Sequence, residues 1–302
     1  MHPRRAADDA CGIAQAAAVV GDWWSLLVLR EVARGHVRFD RLANELSVSR
    51  KVLAERLRTL TEHHVLERRL YQDRPPRYEY VLTEQGRGLL PTLVSLQDWA
   101  DRWLLGDGTL TGQSADEGAE ARRVTSLVGE QLPTGLRLPG SAGREYDPVA
   151  AGARATVLFA YPATGVPGVP DDITAPPVPG SAGCTLENRQ FRAAWPRFRA
   201  DGIAVHGVST QTPQEQAAFA RAEDLPFPLL CDDRLQLTAA LRLPTFRAGQ
   251  SLRLKRLILL VGPDRVIRHV LFPVRDIPAA VLHVLDLARS TGSRPSREGD
   301  KR

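Results

Sequence analysis

Cys184 stands where a Pro/Gly-rich loop, PPVPGSAG (176–183), gives way to the run TLENRQFRAAWPRFRA. In that run Phe191, Ala194, Trp195 and Phe198 recur at helical spacing. The pattern predicts a helix that begins at or just after Cys184, with Pro196 expected to kink it. A thiol in the first turn of a helix faces unpaired N–H groups and the positive end of the peptide dipole. Both favour thiolate over thiol, and helix starts or nearby cations lower a cysteine pKa from ~8.5 to ~3.5–7.5. The chemistry suited to this placement is nucleophilic attack by sulfur.

The other reactive groups form no competing centre. Cys11 and Cys231 are the remaining cysteines, and three thiols at unrelated spacings make neither a disulfide framework nor a CxxC metal site. None of the seven histidines falls in a metal-ligand pattern, and no NAD, flavin or haem signature is present. Neither a metal nor a cofactor is expected.

Two kinds of element surround these residues. Beyond residue 123, the strand-like runs ATVLFAY, IAVHGVS, FPLLC, RLILLV and VIRHVLF alternate with amphipathic stretches. Alternation of this kind predicts an α/β layer fold. From Ile13 to Leu105 the apolar residues instead recur at helical spacing, apart from one hairpin. Between the halves lies GDGTLTGQSADEGAEARR (106–123), too small and polar to bury much apolar surface and therefore expected to be a linker. The expected organisation is an N-terminal domain over 1–105, a linker over 106–123, an α/β domain over 124–289 and a disordered tail over 290–302. A chain of 302 residues is long enough for two such domains. No run reaches the ~18 apolar residues of a membrane span, and the first residues lack the apolar core of a secretory signal, so a cytoplasmic location is expected. The net charge of +5 permits a polyanionic partner without demanding one.

In the N-terminal half, RFDRLANEL (38–46) reads as a short amphipathic helix with Phe39, Leu42, Ala43 and Leu46 on one face. After the turn SVS, Ser49 is a good N-cap for SRKVLAERLRTLTEH. There Leu53, Leu57 and Leu60 share an apolar face, while Arg50, Ala54 and Arg58 lie on another beside Lys51. Two helices around a tight turn with a basic outer face fit the major groove of DNA. VLERRLY and YEYVLT then read as two strands flanking a basic tip, QDRPPR, with Arg74 and Arg77 placed to meet phosphates. Taken singly, each of these arginines also reads as part of a solvated face.

The order Cys11-Gly-Ile, GDWWSLLVLREV, RFDRLANEL, SRKVLAERLRTL, YQDRPPRYEYVLTEQGRGLLP and SLQDWADRW closely resembles the HxlR family of winged helix-turn-helix regulators over residues 11–103. The resemblance implies a homodimer, built by the N-terminal segment and a long helix from Glu84 to Leu105, on a pseudo-palindromic double-stranded operator. It makes Ser49, Arg50, Lys51 and Arg58 base or phosphate contacts, and Arg74 and Arg77 wing contacts. Several family members carry a redox-sensitive cysteine where Cys11 stands. The other reading of Cys11 is a small buried residue.

The C-terminal half resembles the peroxiredoxins of the bacterioferritin-comigratory type from about residue 124 to 289. Pro177-Val-Pro-Gly-Ser181-Ala-Gly-Cys184 matches the signature Pro-x-x-x-Thr/Ser-x-x-Cys, with VGEQLP, VLFAYP, LPFPLLCDD, LRLPTF and RLILLVGPDRVIRHVLFPV in the family's order. The resemblance implies a thioredoxin-like fold and a Cys184 thiolate that attacks a hydroperoxide to form a sulfenic acid. Ser181 would hold thiolate and incoming oxygen, and Arg256 would act as the active-site arginine. The alternative for Arg256 is a surface charge at a strand edge. Two features depart from the pattern. Val169, in YPATGVPGV, stands where the cysteine is usually found, and Arg189 occupies the position of a frequent resolving cysteine. Cys231 is then either a resolver or a packed residue at a strand end, and an external thiol reductant is expected.

Three functions follow as expectations: a redox-responsive regulator with a working peroxidase domain, a peroxidase tethered by a DNA-binding module, or a regulator whose thioredoxin-fold domain is inactive and serves sensing or dimerisation.

Overall fold

The computed structural model describes residues 11–105, 115–165, 183–249 and 251–290. In chain order its elements are α1 (Gly12–Val20), α2 (Trp23–Ala33), α3 (Phe39–Leu46), α4 (Arg50–Glu62), β1 (Leu66–Gln72), β2 (Arg77–Leu82), α5 (Glu84–Arg87), α6 (Leu90–Trp103), α7 (Ala119–Thr125), β3 (Leu138–Pro139), β4 (Glu145–Tyr146), β5 (Ala155–Ala160), α8 (Cys184–Ala200), β6 (Ile203–Ser209), α9 (Pro213–Ala222), β7 (Leu229–Cys231), α10 (Gln236–Leu241), β8 (Thr245–Ala248), β9 (Ser251–Leu254), β10 (Leu257–Val261), β11 (Ile267–Leu271) and α11 (Ile277–Ser290). They form two compact units: residues 1–97 with 234–242, and residues 98–233 with 243–302.

The first unit is built on side-chain caps and one leucine-rich core. Asp22 accepts from the Trp24 and Ser25 amides and starts α2. Ser47, in the left-handed region, ends α3, and two residues later Ser49 starts α4 by accepting from Val52 N–H. The apolar faces of α2, α3 and α4 meet in a cluster of Val28, Leu29, Leu42, Leu46, Leu53, Leu57 and Leu60. β1 and β2 form an antiparallel hairpin from Leu66↔Leu82 out to its tip. The single helix expected from Glu84 to Leu105 is two helices, α5 and α6. Gly88 follows α5 directly, and Pro91 lies in the first turn of α6. A proline suits the first turn of a helix, where its missing N–H costs nothing.

The second unit is a five-stranded sheet in the order β11-β10-β5-β6-β7, with β5, β6 and β7 parallel and β10 and β11 antiparallel to their neighbours. Every residue of β5 and β10 is buried, which is why these segments read as unbroken apolar runs. Phe191 and Phe198 of α8 and Val281, Val284 and Leu285 of α11 share one cluster with Val157 and Phe159 of β5 and Ile258 of β10. The stacked rings of Phe159 and Phe191, 4.1 Å apart, seat α8 on the sheet. α8 runs through Pro196 to Ala200 as one helix.

The segment expected as a linker is corrected at its end. Residues 106–114 lie outside the described residues, but Ala119–Thr125 forms α7 and buries Glu120, Ala121 and Val124. Composition missed it because two of the residues that hold it, Ala121 and Glu120, read as solvent-facing until their partners are known. Of the tail expected over 290–302, Ser290 is the last residue of α11, and residues 291–302 lie outside the described residues. Among the described residues, no single helix is long and apolar enough to cross a membrane.

Candidate active site

Cys184 is the first residue of α8 and is 3 % exposed. The glycine before it, Gly183, has φ +98°, and a Cβ there would lie 3.2 Å from Ile277 Cδ1 and 3.6 Å from Arg256 Nη2. Only glycine combines that backbone with so close an approach to the guanidinium. Arg256, between β9 and β10, places Nη2 3.4 Å from the Cys184 sulfur and donates from Nε to Glu187 Oε2 at 2.8 Å. Arg256 is therefore buried, not a charge at a strand edge.

A second contact to the sulfur comes from the main chain after β5. The Ala163 amide donates to the sulfur. Ala163 follows β5 and is held by the end of β6: Ser209 donates to Pro162 O, and Gln211 clamps Thr164 by accepting from its N–H at 2.8 Å and donating to its C=O at 3.0 Å. Tyr161, wholly buried, donates to Gln216 Oε1 and closes the same corner.

The electrostatics correct one expectation. Burial pushes the Cys184 thiol up, while Arg256 and the Ala163 amide pull it down and Glu187 adds to the rise. Burial is the largest influence, so enclosure works against the thiolate that a helix start alone favours. Burial also raises Glu187, fully enclosed, to about 7 against the pull of Arg256. Burial opposes the charge on Arg256, but Glu187 and Cys184 outweigh it and hold the guanidinium ionised. One cation thus faces two acids. Glu187 Oε1 has no hydrogen-bond partner among the described residues, which leaves one lone-pair site of the carboxyl open beside the thiol.

Pro177 and Ser181 lie outside the described residues. Cys231, the last residue of β7, is fully buried, and burial with Asp233, Glu215 and Asp232 pushes it up to about 12. It is a packed, protonated thiol in this state. Cys11 is exposed at the N-cap of α1, not buried within the chain. In the first unit, Ser49, Arg50, Lys51 and Arg58 are exposed on α4, opposite the buried face of Leu53, Leu57 and Leu60. Arg50 pairs with Asp40 at 2.8 Å and Arg58 with Glu62 at 3.5 Å, both in solvent. Arg74 and Arg77 are exposed at the hairpin tip.

Residues 19–107 match the model of the HxlR-like helix-turn-helix family. An HTH-type transcriptional regulator of Mycobacterium tuberculosis is 37% identical over 124 residues, 40% of this chain and 78% of that protein. The chain belongs to the HxlR-like helix-turn-helix family. Other HTH-type regulators that it resembles include one from Synechocystis, 38% identical over 95 residues (31% of this chain, 70% of that protein), and YodB of Bacillus subtilis, 32% identical over 86 (28% and 77%). Residues 178–270 match the AhpC/TSA family, a span that contains both Cys184 and Arg256. This HxlR-like protein therefore carries a peroxiredoxin-like, thioredoxin-fold domain behind its DNA-binding domain. Solved structures similar to that part are the peroxidoxin BcpB of Mycobacterium tuberculosis, at 24% identity, 55% of this chain, 98% of that one and a TM-score of 0.45, and a PrxQ of Xylella fastidiosa, at 20%, 55%, 97% and 0.45.

Sequence reasoning missed Ala163, Glu187, Ser209 and Gln211. A signal existed for Glu187 alone: three residues after Cys184 in a helix, it must lie on the same face as the thiol.

Proposed function

We propose that this chain is an operator-binding transcriptional regulator whose second domain reduces hydroperoxides at Cys184, with the state of that sulfur altering the grip on DNA. The observation that carries the chemistry is the convergence on one sulfur of a buried guanidinium at 3.4 Å and a main-chain N–H at the start of a helix. These donors are aimed where negative charge sits before and during attack.

Arg256 balances one negative charge at a time. With Glu187 protonated, the guanidinium serves the thiolate; with Glu187 ionised, the two anions compete for it. The thiolate attacks one peroxide oxygen, the S–O bond forms as the O–O bond breaks, and the departing alkoxide or hydroxide takes up the proton lost by the thiol. Cys184 is left as a sulfenic acid. A first external thiol displaces water to give a mixed disulfide, and a second releases Cys184 as thiol and carries away the disulfide.

The DNA half of the proposal places Ser49, Arg50, Lys51 and Arg58 in a major groove, with Arg74 and Arg77 on flanking phosphates. The exposed apolar side chains of Ile13 on α1 and of Leu96, Trp99 and Trp103 on α6 support the homodimer that a pseudo-palindromic operator requires. The domain boundaries proposed are those of the sequence reading, except that the second domain begins by Ala119 with α7 and extends to Ser290 at the end of α11, and the proposed location is the cytoplasm.

Peroxide consumption with a thiol reductant, in wild type and Cys184→Ser, tests the chemistry; activity in wild type and none in the variant is expected. Equal rates would remove it. Operator binding by gel shift, reduced against peroxide-treated, tests the coupling, and a change in affinity that Cys184→Ser abolishes is expected. A second reading, in which the thioredoxin-fold domain is catalytically silent and serves sensing or dimerisation, draws on the burial that pushes the Cys184 thiol up. It predicts no peroxide consumption by wild type.

A further inference from the structure

Lys255 and Arg256 are consecutive residues at the corner between β9 and β10, and both side chains are buried. They diverge. Arg256 reaches Cys184 and Glu187 on α8, whereas the Lys255 ammonium lies 2.7 Å from each carboxylate oxygen of Glu120 on α7. Lys255 is wholly enclosed and Glu120 nearly so, and the Lys255 amide is tied to Pro244 O at 2.8 Å. A buried ammonium is tolerated only beside its counter-charge, so this pair dictates where the corner sits. Nothing in the chemistry assigned above uses it.

We propose that the Glu120–Lys255 pair positions Arg256 against Cys184, making α7 part of the support of the reactive sulfur. The claim rests on the reading of Cys184 and Arg256 as reaction partners, and it deepens that reading. A guanidinium fork is rigid, and its hold on a sulfur at 3.4 Å fails after a shift of about an ångström. Arg256 has no flexible stretch of chain between it and Lys255, so displacement of the one backbone is displacement of the other. α7 has seven residues and no side-chain cap, so it depends on tertiary ties, the Glu120 pair among them.

The test is the pH profile of Cys184 alkylation by iodoacetamide in the full-length protein, read by mass on the Cys184 peptide. It compares wild type, Glu120→Gln, Arg256→Lys and the double variant. Glu120→Gln is expected to move the midpoint upward, as Arg256→Lys does, and a rise of one unit is about a tenfold loss of thiolate at neutral pH. The double variant is expected to move no further than Arg256→Lys alone, because Glu120 acts through Arg256. A wild-type midpoint in Glu120→Gln, or shifts that add, would overturn the proposal. Should Glu120→Gln fail to fold, Glu120→Asp keeps the charge but shortens the reach, and an unmoved midpoint there overturns it equally. Alkylation needs no peroxide, so a chain that consumes none would sink the peroxidase reading while leaving this one to stand or fall on the midpoints.

Discussion

Arg50 and Arg256 each hold a carboxylate at 2.8 Å, yet the two pairs do different things. Arg50 and Asp40 are about three-quarters exposed, so water and salt screen their attraction and Arg50 can exchange its partner for a phosphate. Arg256 and Glu187 are buried, where an attraction is stronger and an unpaired charge costs more. The reader domain keeps its cations in water because its partner arrives from water. The peroxiredoxin-like domain encloses its cation against Glu187 and Cys184. The difference teaches that a contact distance says little until burial is known.

That contrast is open to attack at three points. The largest effect is expected at Arg256. Replacement by Met leaves Glu187 buried without its counter-charge, which should lower stability by about 3–5 kcal/mol and slow peroxide turnover at least tenfold. Chemical unfolding and peroxide consumption measure the two. If Arg256→Met is as stable as wild type, the enclosed pair is no different from the exposed one.

Next in size is a pH effect. Glu187 is raised from 4.5 to about 7 in the folded chain, so between those values the folded state holds a proton that the unfolded state has released. Stability from this group is therefore full below 4.5 and is lost as pH rises through about 7. Unfolding curves across this window should show stability falling towards neutrality, and Glu187→Gln should flatten the slope. The same variant should lower the alkylation midpoint of Cys184, since it removes the acid that competes for Arg256.

The smallest effect on the fold is expected at the surface. Arg50→Ala should change stability by less than about 0.5 kcal/mol, because exposed pairs contribute little. Operator binding should nonetheless weaken by about 1–3 kcal/mol if Arg50 meets a base, and weaken uniformly across sequences if it meets a phosphate. Gel shifts on operator and unrelated DNA separate the two.

Much of this was legible along the chain. The strands β5, β6, β7, β10 and β11 coincide with the runs that announced them, and in all but the edge strand β11 nearly every residue is buried, as in a strand covered on both faces. The caps at Ser49 and the start of α8 at Cys184 are equally local, since a cap acts within three residues of itself. Arg256 was legible only through its place in a family motif. Ala163 offers a backbone N–H that any residue but proline has, so no side chain could have marked it. α7 went unseen because AEARRVT has little apolar surface, and its anchor is an ion pair to a residue 135 positions away.

The amino-acid order alone determined the strands of the main sheet, the helix-turn-helix of α3 and α4 and where α8 begins, because those depend on neighbours a few residues apart. The charge on Cys184, the sharing of Arg256 with Glu187 and the tie from α7 to Lys255 were decided only when distant segments closed over one another. Enclosure and long-range charge set a proton's place, and neither exists until the chain has folded.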